Sequence, residues 1–492
     1  MSSSAHSTTL SSSSQPQANP NRWRALFVLS LTQLVVVLDG TIVNIALPQA
    51  QLDLGLTDTE RQWVVTAYAL AFGSLLLLGG RIADYWGRRR TFMVGMIGFG
   101  AASVLGGLTQ SGTELIIARG LQGAFAAMLA PAALALLTVT FTHGKERNTA
   151  FAVFGTVAGA GAAVGLVLGG VLTEFASWRW CLLVNVFFVI VGLVGALLFI
   201  AESKAEGDNR YDILGAITVT LGLGSLVYGF SLAETGWGTP QTIGFLAAGV
   251  GLLVLFVVVE SKVAQPLLPL RVVVNRVRGG AFLMQAIAGS VMIGAMLYLT
   301  FHLQIVLGLS PLAAGLATLP LPIAITGVAP LATRLLASIG PRPLMIVGPI
   351  IVAAGLFYLS FITADGNYFA QVLPGMVLMG MGMALIFIPL QNVALSGIAP
   401  HEAGAASATV NAAMQIGGSL GLSIFTAIYV STSENAAITT PGLPSLTAGY
   451  SAIFVASAIA MLVAAVIAAV FIRGAKSELM PSSGSDSVIH LG

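Results

Sequence analysis

Apolar residues occur along this chain in long unbroken runs rather than in alternation with polar ones, and the runs exceed what a buried helix of a water-soluble domain needs. Runs able to cross about 30 Å of hydrocarbon, roughly 20 residues each, lie at 25–47, 62–82, 92–110, 114–138, 148–172, 180–200, 212–232, 242–260, 280–306, 312–334, 344–363, 369–394, 405–430 and 450–472. This pattern predicts an all-α integral membrane protein of about fourteen transmembrane helices. Residues 1–21, rich in Ser, Thr, Pro and Asn, and the polar stretch 476–492 hold no such run and are expected to be tails. The first apolar run is too long for a signal-peptide core and is expected to persist as a span.

Charge placement orients the bundle. If the first span runs outward, every Lys and Arg except Arg61, Arg119 and Arg179 falls on the cytoplasmic side, so both termini are expected in the cytoplasm of a multi-pass protein of the cell (inner) membrane. Arg61 and Arg179 fall at outer helix ends, and Arg119 falls inside a span. An internal repeat appears when the segment Gly80 to Arg88, after the second span, is set beside Thr333 to Arg342, after the tenth. The copies are eight crossings apart, whereas two adjoining six-span halves would place them six apart. Two helices must therefore be inserted, which divides the chain into an N-terminal half over 22–202, a two-helix insert over 203–262 and a C-terminal half over 263–475.

Composition narrows the function classes. Hydrophobic residues make up 56% of the chain and charged residues 8%, and the net charge is only +2. Nothing points to nucleic acid. No phosphate loop, metal-ligand cluster or nucleophile–base arrangement is visible, so neither an enzyme nor a bound cofactor or metal is expected. The single cysteine, Cys181, excludes an intrachain disulfide. The 57 glycines suit close approach of helix backbones in lipid. Gly155 and Gly159, and again Gly161, Gly165 and Gly169, recur every four residues beside Gly170 and form small-residue stripes.

Several motifs carry a family resemblance. The segment from Gly80 through Asp84 and Gly87 to Arg88, Arg89 and Arg90 resembles the cytoplasmic signature of the major facilitator superfamily. The run Leu38-Asp39-Gly40-Thr41 to Pro48 is similar to the first-helix signature of its fourteen-helix drug:proton antiporter branch, the multidrug and quaternary-ammonium exporter type. Arg119-Gly120-Leu121-Gln122-Gly123, the Gly155 to Gly170 stretch, and Trp178-Arg179-Trp180 with Asn185 resemble motifs of helices four, five and six. Two positions depart from the pattern: Leu166 and Phe187 stand where members carry Pro. The resemblance implies a fold of two six-helix halves plus two inserted helices, gating by the Gly80 to Arg90 segment with Asp84 stabilising the outward-facing state, and an antiport motif at Gly155, Gly159, Gly161, Gly165, Gly169 and Gly170. It also implies export of small, largely apolar compounds by a protein working with a lipid bilayer, as a monomer and with protons as the coupling ion. An uptake symporter, a lipid or metabolite carrier on the same fold and a non-transporting sensor stay open as alternatives.

Well inside the spans lie one acid, Asp39, and one base, Arg119. An ionisable group at that depth costs about 3 kcal/mol or more unless it faces a cavity or a partner. At about 1.5 Å per residue, Asp39 lies roughly 21 Å from the inner end of its span and Arg119 roughly 8 Å from the outer end of its own, so the two can meet. Either they form a static ion pair that locks two helices, or Asp39 binds the coupling proton while Arg119 alters its hold on it. The midplane residues Gln33, Asn44, Tyr68, Gln122, Gln285, Tyr298, His302, Gln304, Gln391, Asn392, Asn411 and Gln415 are candidates for the substrate path, or for plain interhelical hydrogen bonding. The carboxylates Asp212, Glu260, Glu402 and Glu434 fall at span ends and are expected to be solvated caps or anchors.

Overall fold

The computed structural model describes residues 21–142, 144–204, 212–232, 236–263, 265–268, 270–396, 398 and 403–474. Both expected tails, apart from Asn21, lie outside them, as does Glu402. Among the described residues there is no strand, and fourteen helices are long and apolar enough to cross a membrane. They are α1 (Arg22–Leu54), α2 (Asp58–Trp86), α3 (Arg88–Gly107), α4 (Gly112–Thr140), α5 (Lys145–Phe175), α6 (Trp180–Phe199), α7 (Ile213–Leu232), α8 (Pro240–Lys262), α9 (Arg276–Val306), α10 (Pro311–Ile339), α11 (Pro341–Leu359), α12 (Tyr368–Ala394), α13 (Ala406–Ala437) and α14 (Leu443–Phe471).

Several helices outrun their apolar stretches, because caps rather than hydropathy stop them. Thr57 opens α2 with a reciprocal capping box: Glu60 N donates to Thr57 Oγ1 at 3.2 Å and Thr57 N to Glu60 Oε2 at 3.0 Å. Ser111 and Asn275 accept from the first turns of α4 and α9 in the same way. The two copies of the repeat show one shared device, a glycine with positive φ between consecutive helices. Gly87 (φ 127) separates α2 from α3, and Gly340 (φ 81) separates α10 from α11.

Helices α1 to α6 pack among themselves, as do α9 to α14, while α7 and α8 pair with each other and α7 leans on both α2 and α13. The two groups meet along two seams, α2 against α13 and α5 against α10. At the second seam the backbones come close: a Cβ on Gly170 would lie 2.7 Å from Leu312 Cα, and one on Gly315 would lie 2.4 Å from Leu166 O. Between the groups lies a cavity of about 1710 Å³. Its mouth carries Arg81, Asp84, Arg88, Arg147 and Arg271, on the side where both described chain ends emerge. The opposite end is sealed.

Candidate functional site

Asp39 sits in the middle of α1 and is fully buried. Its Oδ2 accepts from Arg119 Nη1 of α4 at 2.6 Å, and its Oδ1 accepts from Asn185 Nδ2 of α6 at 2.7 Å and Gln122 Nε2 of α4 at 3.2 Å. Arg119, 2% exposed, also donates through Nη1 to Gln122 Oε1 at 2.9 Å and through Nε to Val64 O at 3.3 Å. Its guanidinium lies 4.4 Å from the ring centroid of Tyr68, whose hydroxyl donates to Val36 O. Three helices, α1, α4 and α6, thus meet at one carboxylate, and α2 holds its partner Arg119. Arg119 and Tyr68 line the cavity, as do Gly40 and Thr41 beside Asp39, so the acid lies one side chain behind the cavity wall.

This approach of helices is made by small residues. A Cβ on Gly165 would lie 2.0 Å from Thr41 Oγ1, and one on Gly169 would lie 2.9 Å from Ile42 O, so Gly161, Gly165 and Gly169 seat α5 against the stretch of α1 that carries Asp39. Gly155 and Gly159 have nothing within 4 Å, and Gly159 faces the cavity. Of the two stripes seen in the sequence, one packs and the other borders open space.

The midplane candidates separate into groups. Gln33, Asn44, Tyr68, Asn411 and Gln415 line the cavity, and Asn44 Oδ1 finds no hydrogen-bond partner. Gln122 lies outside the lining, spent on Asp39 and Arg119, with a further bond from Nε2 to Ser103 Oγ at 2.8 Å. Gln304 Nε2 donates to Ile45 O at 2.9 Å and joins the two groups at the sealed end. Tyr298 donates to Thr426 at 2.7 Å within the second group. Gln285 and His302 are buried outside the lining, and among the described residues neither ring nitrogen of His302 has a hydrogen-bond partner. Gln391 is exposed near the end of α12, and Asn392 donates to its own helix at Ile388 O.

The Gly80 to Arg90 segment stands at the cavity mouth. Asp84 pairs with Arg88 on its own side, Nη2 to Oδ1 at 2.9 Å, and among the described residues no hydrogen bond or ion pair joins it to the second group. Arg89 and Arg90 present their backbone amides to Glu202, which accepts them at 3.0 and 3.1 Å and so caps α3 from the end of α6. Gly80 faces Pro131 across the α2–α4 contact. The expectation that the span-end carboxylates are solvated needs correction at two of them. Asp212 and Glu260 are 5% and 3% exposed because the α7–α8 pair and the 265–268 turn fold over them. Asp212 accepts from Gly215 N and Glu260 from Leu268 N. Glu434 is exposed.

Sequence reasoning missed Glu202 and the burial of Arg61. That arginine stands at the helix end where the chain pattern placed it, yet it is 2% exposed and lies over the rings of Tyr298, Phe301 and Tyr429. The sign that could have flagged it is its spacing from Asp58, which pairs with it at 2.8 Å.

Two groups of helices around a central cavity, closed at one end and with a carboxylate held behind its wall, define a polytopic membrane transporter. The chain belongs to the Major Facilitator Superfamily, whose sequence model matches residues 29–422. It is 45% identical over 480 residues to the puromycin resistance protein pur8 of Streptomyces alboniger, covering 96% of this chain and 95% of that one. To the cephamycin export protein CmcT of Amycolatopsis lactamdurans it is 38% identical over 460 residues, covering 92% and 93%. The crystal structure of an auto-inhibited POT family peptide transporter matches with a TM-score of 0.67 over 90% of this chain and 96% of that one, at 16% identity, a likeness of fold alone. The protein is a secondary transporter.

Proposed function

We propose that this transporter exports small, largely apolar compounds, antibiotics or related metabolites among them, in exchange for protons, and that Asp39 is the proton carrier. The observation that carries the reading is the convergence of Arg119, Gln122 and Asn185 on one fully buried carboxylate beside the cavity. A proton on Asp39 removes the charge that Arg119 answers and leaves a weaker acceptor, so the hold of the three donors on it loosens. Since those donors stand on α4 and α6, taking up a proton bears directly on how α1 sits between them. The names of the two relatives, puromycin resistance and cephamycin export, support the outward direction and the substrate class.

With the termini in the cytoplasm, as the basic residues favour, the structure is an inward-open state: the cavity would load substrate from the cell interior while the outer end is shut. Asp84, pairing locally with Arg88, is then free to engage the second half when the mouth closes. The expected working form is a monomer in the cell membrane, needing no cofactor beyond the coupling proton. One proton entering down about 100 mV supplies about 2.3 kcal/mol, which supports roughly fiftyfold accumulation of a neutral substrate.

The test uses proteoliposomes with an imposed pH gradient. Asp39→Asn is expected to bind substrate in the cavity within about threefold of the unaltered chain and to lose uphill transport. Uphill, gradient-driven transport by that variant at the normal rate rejects the assignment.

A further inference from the structure

The cage around Arg61 lies apart from the Asp39 cluster, at the sealed end of the bundle. The guanidinium carbon lies 4.3 Å from the ring centroid of Phe301 and 5.3 Å from those of Tyr298 and Tyr429. Ownership is divided. Arg61 and its counter-ion Asp58 belong to α2 of the first group, while Tyr298 and Phe301 stand on α9 and Tyr429 on α13 of the second. Tyr450 of α14 stacks on Tyr429 at 5.3 Å. Among the described residues no carboxylate of the second group pairs with Arg61, whose Nε and Nη2 lack hydrogen-bond acceptors. What that group offers the cation is three aromatic rings, two of them with hydroxyls beside it, the arrangement that holds organic ammonium and guanidinium groups.

The cage also borders an imidazole with no hydrogen bond in this state. Among the described residues both nitrogens of His302 are buried without hydrogen-bond partners, and its ring meets that of Tyr450 edge to face at 6.1 Å. Any separation of the groups at this end carries Arg61 away with α2 and leaves the rings with α9, α13 and α14. The vacated box then faces water with its rings, a hydroxyl and an imidazole. It is built for a cation that is poorly hydrated enough to trade water for ring faces.

We propose that this cage is a second ligand site, an exit site for monovalent organic cations such as protonated amines and delocalised aromatic cations, with Arg61 and the ligand as alternate occupants in successive states. Its role in exit rests on the export reading above; its binding chemistry does not. Arg61 re-entering the cage displaces the departing cation and closes the seal in one movement, so a released substrate is not recaptured.

The experiment measures equilibrium binding to the full chain in nanodiscs, with no pH gradient, for two planar dyes: ethidium, a monocation, and Nile red, which is uncharged. Arg61→Gln empties the cage and is expected to tighten ethidium binding about tenfold while leaving Nile red within about twofold. Adding Tyr429→Leu to Arg61→Gln should remove the gain, whereas adding Tyr429→Phe, which keeps a ring, should retain it. Phe301→Leu replaces Tyr429→Leu if the latter does not fold. Unchanged ethidium affinity in Arg61→Gln, an equal gain for both dyes, or a gain that survives loss of the ring overturns the proposal. Because no gradient is involved, failure of the Asp39→Asn transport test would leave this result standing, and the converse also holds.

Discussion

At the scale of single residues, the energetics of the Asp39 cluster are set by burial. Taking one partner from a buried ion pair leaves an uncompensated charge and costs about 3–5 kcal/mol, whereas removing both can be nearly neutral. Arg119→Met is therefore expected to destabilise the protein by about that amount, since Gln122 and Asn185 supply only neutral donors to Asp39. The double variant Asp39→Asn/Arg119→Gln should recover most of the loss in a denaturation assay and still show no gradient-driven transport. Recovery of transport along with stability would make the pair a structural lock only. The meeting of Asp39 and Arg119 was legible in the chain because they are the two charges deep in apolar runs and their depths match. Gln122 was legible as a midplane amide but not as a partner of Asp39, because its side chain turns sideways toward α1 and not into the cavity. For Arg61 the position at a helix end and the spacing from Asp58 were legible, but its burial was not, because the rings that cover it come from another part of the chain.

At the scale of helices, spacing alone gave both glycine stripes of α5 equal weight, and the neighbours tell them apart. A methyl group at Gly165 would collide with the Thr41 side chain and approach the Leu38 carbonyl at 3.0 Å, pushing α5 off the turn of α1 that presents Asp39. Gly165→Ala is expected to cost about 1–3 kcal/mol of stability through overpacking and to depress transport with it. Gly159→Ala meets nothing within 4 Å and should stay within about 0.5 kcal/mol of the unaltered protein. Thermal unfolding of the two purified variants checks the contrast, and equal losses would mean that the α1–α5 contact is not what the stripe serves. Helix ends behaved differently from helix cores. The apolar runs located every span, but α2 begins at Asp58, four residues ahead of its run, because Thr57 and Glu60 cap it there.

At the scale of the whole molecule, the chain pattern foretold fourteen crossings and their order, since hydrophobic length is a local property. Which end of the cavity is shut was not legible, because that depends on residues hundreds of positions apart. The seal joins Gln62 to Ser423 at 2.6 Å, Gln304 to Ile45 O, Glu174 to Leu312 N at 2.9 Å, and Arg61 to its cage. All of these contacts cross between the two groups at one end, while the other end holds the open mouth, so transport requires them to break together. Tying one of them should arrest the cycle without touching the cavity. Glu174→Cys with Leu312→Cys, in a Cys181→Ala background because Cys181 is the sole native thiol, places two thiols across the α5–α10 seam. Oxidation is expected to abolish transport in proteoliposomes, reduction to restore it, and binding of substrate in the cavity to change by less than about threefold in either state. Full transport by the crosslinked protein would mean that the α5–α10 seam stays closed throughout the cycle and that the exit lies elsewhere, along the α2–α13 seam where Arg61 sits.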